Sequence, residues 1–150
     1  MTGPVPQETA SASPQAPAPA PRLGCGALIL RGDAILLVHR RRAPEAGHWG
    51  IPGGKVDWLE PVPRAVEREI AEETGLRIAA RDLLCVVDQI DAHGGTHWVA
   101  PIYLVPEVSG EAVLREPEAL AALGWFPRDA LPQPLTLATR TALAAFAARG

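Results

Sequence analysis

Glu69, Glu72 and Glu73 stand three and four residues apart in the run GKVDWLEPVPRAVEREIAEETGL, residues 54–76. At about 100° per residue, helical geometry brings them to neighbouring positions on one face. Like charges at these spacings repel by about 0.2–0.5 kcal/mol per pair. Glu72 and Glu73 also fall in the last turn before Gly75, where the helix dipole disfavours negative charge. A bound divalent cation reverses both penalties, so the run reads as a metal site. A plain solvated acidic face is the competing reading. Carboxylates suit Mg²⁺, with Mn²⁺ as a substitute, because both are hard cations that prefer oxygen. The chemistry such a site can support is hydrolysis by a metal-activated water: the cation acidifies the water, and a nearby carboxylate takes its proton.

The rest of the run is as ordered as its acids. Gly54, Glu60, Arg68, Glu69, Ile70, Glu72, Glu73, Gly75 and Leu76 fall at the spacing Gly-x5-Glu-x7-Arg-Glu-aliphatic-x-Glu-Glu-x-Gly-aliphatic. In this the chain resembles the Nudix hydrolases, whose signature is satisfied at every defined position. The upstream stretch Trp49-Gly50-Ile51-Pro52-Gly53-Gly54 is similar to that family as well. The resemblance implies a small MutT-like enzyme cutting a nucleoside triphosphate or other nucleoside diphosphate derivative. ADP-ribose or a nucleotide sugar is the alternative substrate, and a non-catalytic nucleotide-binding module the remote one. It also implies roles. Glu72 and Glu73 would be metal ligands, Glu69 a ligand, a general base or both, and the Gly54 carbonyl would complete the coordination. Glu60 would orient water or hold the loop, and Arg68 would position a glutamate. Glu67 occupies an unrestricted position and is taken as solvated surface.

The elements that must position these groups are readable in outline. Leu23–Leu30 and Ala34–His39 are apolar runs around Arg31-Gly32-Asp33 and predict a β-hairpin. The helix is expected to start near Val62, since Pro61 and Pro63 fit only its first turn or the residue before it. Val66 and Ile70 anchor its apolar face, and Gly75 stops it. Strands are expected over Leu83–Ile90 and His97–Val105, with short additions at Ala112–Leu114 and Gly124–Phe126. Thr136 can cap a last helix in which Leu135, Leu143 and Phe146 share a face. Strands interleaved with two helices give an α+β domain. The resemblance narrows this to an α/β/α sandwich with a mixed sheet, one domain over residues 22–150.

Residues 1–21, rich in Pro and Ala, are expected to be a disordered tail with neither a signal peptide nor a transit peptide. No later run reaches the length of a membrane span, and a cytoplasmic protein is expected. The net charge of −3 offers no footprint for bulk nucleic-acid binding. Cys25 and Cys85, in apolar runs, are expected to be free thiols. His93 and His97 bracket Gly94-Gly95 and read as a turn, not a ligand pair. Gly53-Gly54-Lys55 is followed by Val56, so it is not a nucleotide P-loop. Gly24 and Gly26 precede a strand, which does not support a dinucleotide-binding turn.

Substrate recognition falls outside the signature. Trp49 and Trp98 are candidates to stack on a base, and Arg40 to meet phosphates. Trp125 and Phe126 read as core. Glu116 and Glu118 are candidates for a further acid recruited from a distant loop, with Asp88 and Asp91 behind them. The small-molecule substrate is the expected partner, together with a possible second copy in a homodimer.

Overall fold

The computed structural model describes residues 2–6 and 16–150; the expected tail therefore lies partly outside the described residues, at 1 and 7–15. Strand β1 (Arg22–Arg31) organises the fold. Its run LGCGALIL is apolar on both faces, as a strand covered on both sides requires. Ala27 and Ile29 join one core cluster and Leu28 and Leu30 another, all four buried. This is the two-residue alternation of a strand separating two layers.

The Gly32-Asp33 turn, with Gly32 at φ 57°, joins β1 to β2 (Ala34–Arg40) in the expected hairpin, with Arg31 opposite Ala34. The two strands then diverge. On one branch, β2 pairs with β3 (Trp49–Gly50) and β7 (Leu120–Pro127). On the other, β1 pairs antiparallel with β4 (Gly53–Lys55) and parallel with β6 (Thr96–Val105). Strand β5 (Asp82–Asp91) forms the edge beside β6. The sheet is mixed and seven-stranded.

Helix α1 (Val62–Thr74) covers one face. Val66 and Ile70 are fully buried against Ala27, Ile29 and Leu36, each worth about 1.5–3 kcal/mol of burial. Pro61 is its N-cap, and Gly75 ends it at φ 76°, donating its N–H to the Ala71 carbonyl at 2.9 Å. Helix α2 (Leu137–Ala148) covers the other face, where Leu135, Leu143 and Phe146 pack on Leu28 and Leu37. Thr136 is its N-cap and accepts from the Thr139 N–H. The result is the α/β/α sandwich.

Two short expectations turn out differently. Gly124–Phe126 is the end of the longer β7. Ala112–Leu114 is not a strand, because its neighbourhood serves another purpose. The Val113 N–H donates to the Thr74 carbonyl at 2.9 Å and the Arg115 N–H to the Glu73 carbonyl at 3.1 Å. These bonds satisfy carbonyls that the end of α1 leaves without intrahelical partners, and they fasten the segment to the helix.

Candidate active site

Glu73 projects from α1 toward β4 and is 7% exposed, low for an unpaired carboxylate. Its Oε2 is buried without a hydrogen-bond partner. Burial first, then the charges of Glu69 and Glu116, push its pKa up to about 8; the Gly53 backbone and Arg40 pull the other way. Glu69 lies one turn earlier, 14% exposed, and burial raises its pKa as well. Its carboxylate fills the space beside Gly54, where a Cβ would overlap it. A side chain at Gly54 would have to displace that carboxylate, whereas at Gly53 it would meet the backbone of Cys25 and Gly26, which cannot move aside.

Arg68 is the cation already among them. Its Nε donates to Glu60 Oε2 at 2.8 Å and its Nη2 to Glu60 Oε1 at 2.9 Å, a two-pronged pair. Its Nη1 donates to Glu69 at 3.0 Å and to Glu72 at 3.3 Å, and its Nη2 also to the Lys55 carbonyl at 3.0 Å. These bonds hold the Glu60 carboxyl down at about 2, and the Asp57 N–H adds a third support at 3.1 Å. The expected positioning role of Arg68 thus has a geometry, with Glu60 as its counter-anchor. The loop Asp57–Glu60 is tied to the helix that it precedes.

The donor set fits a hard divalent cation. An orphaned, buried carboxylate oxygen beside two further acids needs positive charge, and oxygen ligands are the chemistry of Mg²⁺ and Mn²⁺. Glu69, Glu73 and the carbonyl of Gly54 are the groups that would hold it. Glu72 is half-exposed and drawn to Arg68. Among the described residues no three acidic, histidine or cysteine side chains already share one coordination point. Bringing Glu72 in therefore requires its side chain to leave Arg68.

Of the distant acids, Glu116 acts on both Glu69 and Glu73, while Glu118 is exposed and acts on neither. The fastening of residues 113–115 to the end of α1 is what carries Glu116 there. Asp88 instead meets His97 at 3.2 Å on β5 and β6, and Asp91 accepts backbone N–H groups of its own turn. Glu67 is not free surface: it accepts the Ala80 N–H at 3.1 Å.

A cleft of about 290 Å³ opens beside Gly53 and Gly54 and crosses β1 and β6 toward β5. Trp98 and Arg40 line it. Trp49 does not. It packs into a core cluster, stacked on His39 at 4.7 Å and edge-on to Phe126 at 5.0 Å, and works as a structural aromatic. Sequence reasoning missed Lys55, Glu45 and Gln89, which share the cleft wall. Only strand pairing joins residues 24, 55, 89 and 98, so no local pattern could reveal them. Cys25 is a buried free thiol in the cleft floor, its pKa raised by burial to about 11; Cys85 is half-buried and free.

Comparison with known proteins agrees with this geometry. The profile of the NUDIX domain matches residues 20–146. The crystal structure of a MutT NUDIX hydrolase from Burkholderia pseudomallei superposes with a TM-score of 0.81 at 63% identity, covering 84% of this chain and 98% of that one. The human protein named 8-oxo-dGDP phosphatase NUDT18 is 32% identical over 108 residues, 69% of this chain and 31% of that protein. The Methanocaldococcus jannaschii ADP-ribose pyrophosphatase is 34% identical over 91 residues, 61% of this chain and 54% of its own length. The match thus spans about a third and about half of these two relatives. Among the described residues no helix is long and apolar enough to cross a membrane.

Proposed function

We propose, from the premise that this chain belongs to the NUDIX family, that it is a divalent-metal-dependent hydrolase of a diphosphate linkage in a nucleotide. The observation that carries the reading is the buried Glu73 carboxylate, whose Oε2 has no partner, set beside Glu69 and Glu116. Mg²⁺ is the proposed cation, with Mn²⁺ able to replace it. When bound it would offset the charge on the phosphate oxygens and acidify water. Glu69 would accept the proton of the attacking water; its bond from Arg68, which steadies the carboxylate, supports that role. Arg68, braced by Glu60, keeps that carboxylate in one orientation. Lys55, next to Gly54 in the cleft wall, would draw phosphates toward that end, and Arg40 lines the cleft with its guanidinium donating to the Pro44 carbonyl at 2.9 Å.

A nucleoside triphosphate or an oxidised guanine nucleotide is the preferred substrate, and ADP-ribose the second, as the names of the matched relatives suggest. A cytoplasmic location and a homodimer remain proposals of the same kind, read by fractionation and by mass in solution. The deciding experiment is a panel of nucleoside triphosphates, nucleotide sugars, ADP-ribose and dinucleoside polyphosphates, assayed with Mg²⁺ and with chelator. Separating released phosphate from pyrophosphate locates the bond attacked. Metal-dependent turnover of one class supports the reading. Tight nucleotide binding without turnover across the panel would replace it with a binding module.

A further inference from the structure

The cleft has two chemically different ends. Its near end, at Gly53, Gly54 and Lys55, adjoins the acids of α1. Its far end is formed by Gln89 on β5 and by Glu45 on the loop between β2 and β3. Glu45 has a backbone φ of 60°, a conformation that a glutamate seldom adopts and that persists only where surrounding contacts hold it. Those contacts are visible. The Gln89 Nε2 donates to Glu45 Oε1 at 2.8 Å, and the backbone N–H of Leu137 donates to Glu45 Oε2 at 2.8 Å. Leu137 is the first residue of α2, so the carboxylate sits where the helix dipole favours negative charge. Each oxygen is thereby fixed in place with capacity left over, since a carboxylate offers about four acceptor sites.

The distance between the ends matches a nucleotide. From β4 through β1 and β6 to β5 there are three strand spacings, about 14 Å at roughly 4.8 Å each. That is the reach of an extended nucleoside diphosphate. Gly24 and Gly26 leave the floor low, and Trp98 supplies an aromatic wall 3.6 Å from where a Gly24 Cβ would be. The negative Glu45 repels phosphates, and Lys55, next to Gly54, attracts them, so the ligand is polarised with its base at the far end. There the protein presents acceptors: the remaining lone pairs of Glu45 and the Gln89 carbonyl.

We infer that Glu45, seconded by Gln89, reads the base of the nucleotide and selects a purine that presents two adjacent N–H donors, a guanine-type edge. This rests on the hydrolase reading above. A guanine ring N–H and exocyclic amine can both donate to one carboxylate. Adenine and cytosine each present a ring nitrogen acceptor next to their amine, which would face the carboxylate oxygen without a proton between them. A site built to accept hydrogen bonds rejects ligands that leave its buried acceptors unpaired.

The test compares dGTP, dITP, dATP and dCTP as substrates of the full chain with Mg²⁺, and of the variant Glu45→Gln. One good bidentate contact predicts a kcat/KM for dGTP about 10- to 100-fold above dATP. The value for dITP, which lacks the exocyclic amine, should fall between them. In Glu45→Gln the carboxamide oxygen still accepts the Leu137 N–H and the Gln89 amide can flip to accept from the new NH₂, so the melting temperature should hold while that NH₂ opposes the guanine donors. The dGTP-to-dATP ratio should then drop at least about tenfold, chiefly through KM. Equal kcat/KM for dGTP and dATP in the unmodified chain overturns the inference, as does an unchanged ratio in a folded Glu45→Gln. Should that variant not fold, the dGTP, dITP and dATP order in the unmodified chain decides alone. Calorimetric binding of GMP against AMP separates the two levels of argument. No turnover with a GMP preference counts against the hydrolase and for the base reader, whereas equal affinities count against the base reader.

Discussion

Replacing Glu73 by glutamine converts a buried carboxylate into a neutral side chain of the same shape, and two opposite effects should follow. In the metal-free protein the carboxyl pKa is pushed from the ordinary 4.5 up to about 8 by burial and by Glu69 and Glu116. Between these values the folded chain keeps the proton and the unfolded chain releases it. The folded state then binds more protons, so stability falls as pH rises from about 4.5 and levels off above about 8. The interval, at about 1.4 kcal/mol per pH unit, caps the loss at about 5 kcal/mol. Local relaxation around the carboxylate should leave about 2–4 kcal/mol of it to be measured. The other strongly displaced groups titrate outside this window: Glu60 near 2 and the Cys25 thiol near 11. Burial raises the Glu69 carboxyl as well, which adds a slope of the same sign.

Urea unfolding in chelator, repeated from pH 5 to pH 9, should therefore show the unmodified chain losing stability with pH. Glu73→Gln should flatten most of that slope and be the more stable protein at pH 8.5. With Mg²⁺ the order reverses. A ligand at 1,000 times its Kd stabilises by about 4.1 kcal/mol, enough to outweigh that loss, and the unmodified chain gains this while the variant does not. Turnover in the variant should fall at least about 100-fold, since even partners of metal ligands cost 10- to 100-fold when removed. A metal-free stability that is flat or rising between pH 5 and 8 would refute the assignment of a destabilising buried carboxylate. Equal Mg²⁺ stabilisation of both proteins would refute Glu73 as a ligand.

Three further substitutions probe the surrounding parts. Gly54→Ala places a methyl group where the Glu69 carboxylate lies, and that flexible end can swing aside; the melting curve should change little while a metal titration shows a weakened Mg²⁺ response. Arg68→Lys replaces a fork with a point charge that cannot hold Glu60, Glu69 and Glu72 together. Its kcat should fall about 10- to 100-fold with little change in KM. Because the depressed Glu60 pKa contributes stability above 4.5 that is lost only as pH falls toward about 2, the acid-unfolding midpoint of this variant should move to higher pH. The two tryptophans should separate cleanly. Trp98→Ala should raise KM about tenfold with a nearly unchanged melting temperature, while Trp49→Ala should cost about 3 kcal/mol in urea unfolding and leave KM alone.

What could be read in advance follows the range of the interaction concerned. The limits of α1 are set by Pro61, Pro63 and Gly75, residues that act on their own backbone, so they lie where the pattern puts them. Apart from Glu116, the acids of the site share one helix and one adjoining turn, and spacing alone brings Glu69 and Glu73 together. Arg68 obeys the same local logic, reaching Glu60 eight residues back and Glu72 four residues on. Reasoning from spacing falters where the partner arrives from a remote strand. Trp49 carries the same local credentials as Trp98, an aromatic beside a glycine-rich stretch. Yet β3 pairs with β2 and turns Trp49 onto His39 and Phe126, whereas β6 lies beside β1 and sets Trp98 on the cleft. Glu45 is the extreme case. Nothing in Arg40–Gly47 distinguishes it from any polar loop acid until α2 and β5 bring Leu137 and Gln89 to its two oxygens. The signature can therefore specify how a bond is cut, because that chemistry is local to one helix. The choice of base depends on contacts across four strands and a second helix, which exist only once the sheet has formed.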